Sequence, residues 1–455
     1  MPASHPGWRW GPFTARLPLL HLQPEAPELI QGLLVASATG LAVVPLYAEH
    51  FGMGFETAIA FVVLQSLIIY SSFLLFGEPF CPGWITPALP LVLREAAQFA
   101  TPDLRTDFVN AVVLTTAVVF VLFGATGLGK LFVRAIPRVL KAGIILGAGL
   151  SALHGEVLPR SGGRPSRLDA YPASIAIATT VALLLIFSKP IEAWKGRHPW
   201  LSRVAALGIA PGFFLAMALG PFFGEISYRG LLDYGGPIFF WPDFSGLIRE
   251  FSVLGRGLPS ADLLLKAAPL ALAAYIIGFG DIITGTAILE EAARERPDDP
   301  PPLDARRTHL SVGLRNAAVA LVGGPFVPLQ GPLWAGATVV VAERWRRGPQ
   351  AMRSLFDGVA SYYSFGLPAL YFIGPALELF RPALDVAFSL TLILTGFACG
   401  YVALGMLEER VERGLAILIA VAILFFSTFA GLLAGLLLTA ALLGRDAWKR
   451  ESAML

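Results

Sequence analysis

Residues 81–87 read CPGWITP and residues 323–332 read GGPFVPLQGP, and the placing of these two stretches among apolar runs decides the fold. Proline lacks an N–H and fixes its φ angle, so neither stretch continues a helix. Each precedes an apolar segment too short or too broken to cross a bilayer alone, at 84–100 and 331–343. Around them lie runs of transmembrane length. The first set falls at 28–47, 55–76, 108–125, 137–153, 171–188 and 203–222. The second falls at 264–289, 309–323, 354–375, 383–406, 413–430 and 431–444. With the two broken segments this makes about fourteen, the broken ones standing third in each set of seven. An odd number of spans per half inverts one half relative to the other. Paired, interrupted segments at matching positions mark a transporter binding site. Irregular backbone at membrane depth survives only where protein or a wet cavity satisfies its polar groups. Two half-helix starts meeting there aim partial positive charge at a solute.

The expected fold is therefore an all-α polytopic membrane protein, a 7+7 inverted repeat with half-helices as its third and tenth segments. The divisions follow: 1–27, a cytoplasmic or interfacial segment; 28–222, the first repeat; 223–263, an external amphipathic linker; 264–444, the second repeat; and 445–455, a cytoplasmic tail.

Composition points the same way. Of 455 residues, 55% are apolar and 15% charged, against about 25% charged in soluble domains. A net charge of +2 gives no footing for a nucleic-acid partner. Cys81 and Cys399 are far apart and have no metal-ligand spacing, so they read as packing residues. The opening 27 residues contain Trp8 and Trp10 but no apolar core followed by a cleavage site, which fits an interfacial segment rather than a signal peptide. With a cytoplasmic N-terminus, the clusters at Lys130–Lys141, Lys189–Arg197, Arg294–Arg307 and Arg344–Arg353 all land inside. Arg160, Arg164 and Arg167 are the outside exception. This topology puts both termini in the cytoplasm of a multi-pass cell-membrane protein, the inner membrane in a bacterium.

Polar residues within the apolar runs are the candidate site. Asp281 stands in the middle of a long one, between ALAAYIIGFG and IITGTAIL, where a carboxylate is expensive and usually faces a cavity. It is expected to bind solute or carry a coupled proton. Thr284, one turn on, shares its face. Trp84 and Thr86 begin the first half-helix; Gln330, Gly331 and Trp334 begin the second. Glu78 reads as a solvated residue at the membrane edge, and DDPPPLD at 298–304 as a solvated linker. No HExxH, Walker A, GxSxG or Cys/His cluster is present, so no enzyme activity, cofactor or metal is expected.

The order of these features resembles the nucleobase/ascorbate permeases, typified by the uracil permease, within a fold shared with sulfate permeases and bicarbonate transporters. PFCPGWITPALPLVL (79–93) is similar to that family's third segment, and IPRVLKAGIILGAGL (136–150) to its fifth, glycine-rich helix. Asp281 stands where its eighth segment carries a substrate-binding glutamate. LDARRTHLSVGLRNAAVALVGG (303–324) resembles its ninth helix, and GPLWAGATVV (331–340) its tenth half-helix. The resemblance implies a core domain and a gate domain, a homodimer, and a solute held between the third and tenth segments beside Asp281. Two positions depart from the uracil permease pattern. Pro332 stands at its second carboxylate, and Gly285 at its histidine. The expected function is a proton-coupled secondary transporter of a small polar or anionic solute, a nucleobase among the candidates. The alternative is an anion exchanger of the sulfate or bicarbonate type; a membrane-embedded enzyme is a poorer fit.

Overall fold

A computed structural model describes residues 5–160, 163–444 and 447 of the chain. The expected tail, 445–455, lies almost wholly outside the described residues. Helices occupy every expected segment. The first half holds α1 (Ala26–Leu41), α2 (Val44–Phe51), α3 (Phe55–Leu74), α4 (Ala88–Ala96), α5 (Pro102–Thr126), α6 (Arg138–Val157), α7 (Pro172–Phe187) and α8 (Ala210–Leu219). A linker helix, α9 (Phe244–Phe251), follows. The second half holds α10 (Ala261–Ala293), α11 (Ala305–Ala318), α12 (Ala335–Trp345), α13 (Leu355–Tyr362), α14 (Leu384–Gly405), α15 (Arg410–Phe425) and α16 (Thr428–Leu443).

Among the described residues five helical stretches are long and apolar enough to cross a membrane: 26–51, 55–74, 102–126, 261–293 and 374–405. Two bent pairs, with breaks of 64° and 85°, raise the number to seven. The other expected segments are shorter or interrupted. Local chemistry explains many boundaries. Thr101 caps α5 through Leu104 N–H, with Pro102 in the first turn, and Asp304 caps α11 through the amides of Arg306 and Arg307. The last turn of α11 widens into a π-helix at Val319–Gly323, just before the second proline knot.

Contacts divide the helices into two bodies. In one, α5 packs on α10 and α11, α3 on α11, and α13 on α1 and α12. In the other, α6 packs on α14, α15 and α16, and α7 on α8 and α14. So the first four segments of each half build the first body and the last three the second, with α4 packed against both, on α6 as well as on α5 and α10. The second body is drawn close by small residues. A Cβ on Gly149 of α6 would lie 2.7 Å from the Cys399 Cβ of α14, and one on Gly143 would lie 2.6 Å from the Ile419 side chain of α15.

Two short strand pairs depart from the all-helical expectation. One is an N-terminal hairpin, β1 (Trp8–Trp10) with β2 (Phe13–Ala15), in the segment expected only to lie at the interface. It is tied down by Trp10 Nε1, which donates to Leu75 O at 2.8 Å. The other pair lies at the two proline knots.

Candidate functional site

The two knots meet. Strand β3 (Gly83–Trp84) pairs antiparallel with β4 (Gln330–Gly331), placing Gly83 opposite Gly331 and Trp84 opposite Gln330. Ile85 N–H extends the ladder to Leu329 O at 3.1 Å, and Trp334 N–H donates to Cys81 O at 2.7 Å. Glycine is required here, because a Cβ on Gly83 would fall 2.4 Å from Leu333 O and 2.8 Å from Trp334 N. The crossover thus satisfies the backbone groups that proline and chain reversal would otherwise strand in lipid.

From this crossover α4 and α12 start without a side-chain cap. In α12 the first helical hydrogen bond is Thr338 N–H to Trp334 O, so the amides of Ala335 and Gly336 precede it, and both residues are exposed. Thr86 is half-buried at the start of α4. The two indoles are half-buried and held edge-on, Trp84 against Phe326 (5.6 Å, 82°) and Trp334 against Tyr362 (5.8 Å, 90°).

Asp281 lies on α10, which crosses the knots through Gly278 and Gly285, next to Ile85, Phe80 and Leu333. It is half-buried on the flank of that face. It forms no hydrogen bond or ion pair with any described residue, and it lies within electrostatic reach of Cys399 on α14. The carboxylate therefore looks from the first body toward the second. Thr284 is exposed and its hydroxyl donates to Gly280 O at 2.9 Å.

Gln330 and Gly331 do not offer their polar groups to a cavity. Gln330 is fully buried: Oε1 accepts from Arg315 Nη1 at 3.2 Å and Nε2 donates to Gln65 Oε1 at 3.1 Å. Its backbone exchanges two bonds with the Asn316 amide, at 2.9 and 3.0 Å. Gly331 O accepts from Arg315 Nη2 at 2.9 Å. These groups anchor the crossover to α11, and Arg315, Asn316 and Gln65 enter the site unannounced. The signal for the first two was present in RRTHLSVGLRN, where Thr308, Ser311 and Arg315 recur at helical spacing on one buried polar face.

Two other expectations are corrected, and one exception gains partners. Glu78 is not a solvated edge residue; it is 1% exposed and accepts from Arg307 Nε (2.9 Å) and Thr308 Oγ1 (2.6 Å). The 298–304 stretch is not free linker, since Asp299 is buried and accepts from Trp345 Nε1 at 2.8 Å and Leu355 N–H at 3.1 Å. Arg167, from the anomalous outside loop, is buried in ion pairs with Glu49 (2.9 Å), Glu156 (3.6 Å) and Asp385 (3.1 Å).

Half-helices that start from paired strands between two helical bodies define a polytopic, all-α membrane fold. Among solved structures, the chain is similar to "the transmembrane domain of a cyanobacterium bicarbonate transporter BicA", with a TM-score of 0.53 and 16% identity over 91% of this chain and 99% of that one. At that identity the likeness is one of fold. No protein-family model and no curated protein matches the sequence.

Proposed function

We propose that this protein is a secondary transporter that moves a small polar or anionic solute by rocking one helical body against the other. The observation that carries the reading is the paired crossover, from which two uncapped half-helix starts open beside an unpaired carboxylate. Amides at helix starts are donors with a partial positive charge, suited to hold a polar or negative group. Asp281 has no hydrogen-bond or ion-pair partner among the described residues, so it is available to take up a proton or a solute hydrogen bond as the bodies close. Trp84, Thr86, Thr284 and Trp334 line the approach. Proton coupling, cytoplasmic termini and a homodimer belong to the same reading.

The test is uptake into proteoliposomes under an imposed proton gradient. Asp281→Asn is expected to lower gradient-driven uptake by about tenfold or more, the scale of one charge-assisted contact. Its folding, followed by gel filtration and thermal unfolding in detergent, stays near that of the wild type. Unchanged uptake in a folded Asp281→Asn protein would reject the assignment. A second reading, anion exchange, is favoured by the fold shared with a bicarbonate transporter over a nucleobase substrate. Uptake that depends on a trans anion instead of a proton gradient would select it.

A further inference from the structure

Behind the crossover lies a cluster of charge that the transport reading leaves unexplained. Arg16, Arg307 and Arg315 are 3%, 7% and 1% exposed, and the one carboxylate among them is Glu78. Both oxygens of Glu78 are taken, Oε1 by Arg307 and Oε2 by Thr308. Arg315 is left with neutral acceptors, Gln330 Oε1 and Gly331 O. Its Nε, together with Nε and Nη1 of Arg16, is buried without any hydrogen-bond partner. The electrostatic neighbours of Arg315 are Glu78 and Tyr363, and those of Arg16 are Arg307 and Glu78. Asp281 is among neither set, so it does not supply the missing negative charge. Among the described residues three guanidinium charges face one carboxylate; Arg16 stacks over the Phe356 ring at 3.6 Å, and Arg315 meets only neutral acceptors.

Burying a charge without a counter-charge costs far more than burying a neutral polar group. Such a cost is sustained where a partner arrives from elsewhere. The bonds of Arg315 run to Gln330 and Gly331, whose strand partners Trp84 and Gly83 lead directly into the start of α4. Both half-helices start a few residues beyond these paired strands, and each start carries partial positive charge. A negative solute there meets a guanidinium one strand away and two helix starts in front. A cation meets repulsion, and a neutral solute gains nothing from the charge.

We infer that the transported solute is an anion, and that Arg315, acting through Gln330 and Gly331, is the positioning residue that sets this charge selectivity. The inference rests on the proposed transport site.

Purified full-length protein is titrated with nitrate, bicarbonate, sulfate and uracil, following thermal stability and binding heats, with flux of the same solutes measured in proteoliposomes. The wild type is expected to bind at least one of the three anions saturably and not to bind uracil. Arg315→Gln should raise the Kd for that anion by about tenfold or more, while Arg315→Lys, which keeps the charge, stays within about threefold. Gln330→Glu guards against a folding failure of Arg315→Gln. It is nearly isosteric and places a carboxylate in contact with Arg315, and a flip of the Gln65 amide, giving up its 3.4 Å bond to Gly323 O, turns Nε2 to the new oxygen, so it should fold and weaken anion binding by a similar factor. A merely structural role for Arg315 predicts the opposite for Gln330→Glu. Wild-type anion affinity in folded Gln330→Glu or Arg315→Gln overturns the inference. Uracil flux without anion flux overturns it too but keeps the transporter, whereas a wild type that neither binds nor moves any of the four removes both.

Discussion

Gly83 has no room for a side chain, and what blocks it is backbone, which cannot rotate away. Gly83→Ala is therefore expected to force the two strands apart. The cost should be about 1–3 kcal/mol of overpacking, seen as a lower unfolding temperature, together with loss of transport. Asp243, outside the spans, tests a simpler contact. It caps α9 by accepting from Gly246 N–H at 2.8 Å and Ser245 Oγ at 2.9 Å. These bonds hold its carboxyl below the ordinary carboxylate range. A depressed value means that its stabilisation is complete above the unfolded pKa of about 3.9 and is lost as pH falls through the folded value. Asp243→Ala should cost about 1 kcal/mol at pH 7, and that difference should shrink in unfolding measurements below pH 4. At this scale the sequence misleads about which acids are buried. Asp281 stands out because its neighbours in the chain are apolar, yet Glu78, Glu156 and Asp357 are more deeply enclosed. For all three a partner arrives from far along the chain, Arg307 for Glu78, Ser389 for Glu156 and the Gln23 N–H for Asp357. No local pattern announces a bond of that kind.

At the scale of elements, the long helices and the two interruptions are legible because hydropathy and proline act locally. The glycine-rich run 143–149 is equally readable as a close-packing face, and it receives α15 at Gly143 and α14 at Gly149. The strand pair is harder to read. Two residues per strand carry no alternation to detect, and their register depends on Leu329, held at a positive φ of 57°, and on Asn316 clamping the Gln330 backbone. The N-terminal hairpin is hidden for a similar reason, being defined by docking on Leu75 and Gly77 rather than by its own apolar pattern. Gln330 and Gly331 were legible as members of the crossover. That their polar atoms turn inward to Arg315 is a tertiary fact.

At the scale of the molecule, bonds between the two bodies gather at one end. Arg167, leading into α7, reaches Glu49 on α2; Arg94 on α4 donates to Ile423 O in the last turn of α15 and to Phe426 O just beyond it; and Glu95 accepts from Thr428 N–H at 2.7 Å. Such a hinge-side seam suits two bodies that part at the other end and meet around the crossover. In the proposed mechanism the starts of α4 and α12 line a wet pocket between these bodies, deep in the bilayer. Substituted-cysteine labelling tests it directly, since the native Cys81 and Cys399 are both buried and give little background. A membrane-impermeant maleimide is applied to each face of sealed vesicles carrying Thr86→Cys or Ala335→Cys, with the exposed Gln350→Cys as the control. If the pocket exists, both half-helix positions label from water and a transported solute slows the labelling. Silence at both positions from both faces, with the control reacting, would contradict it.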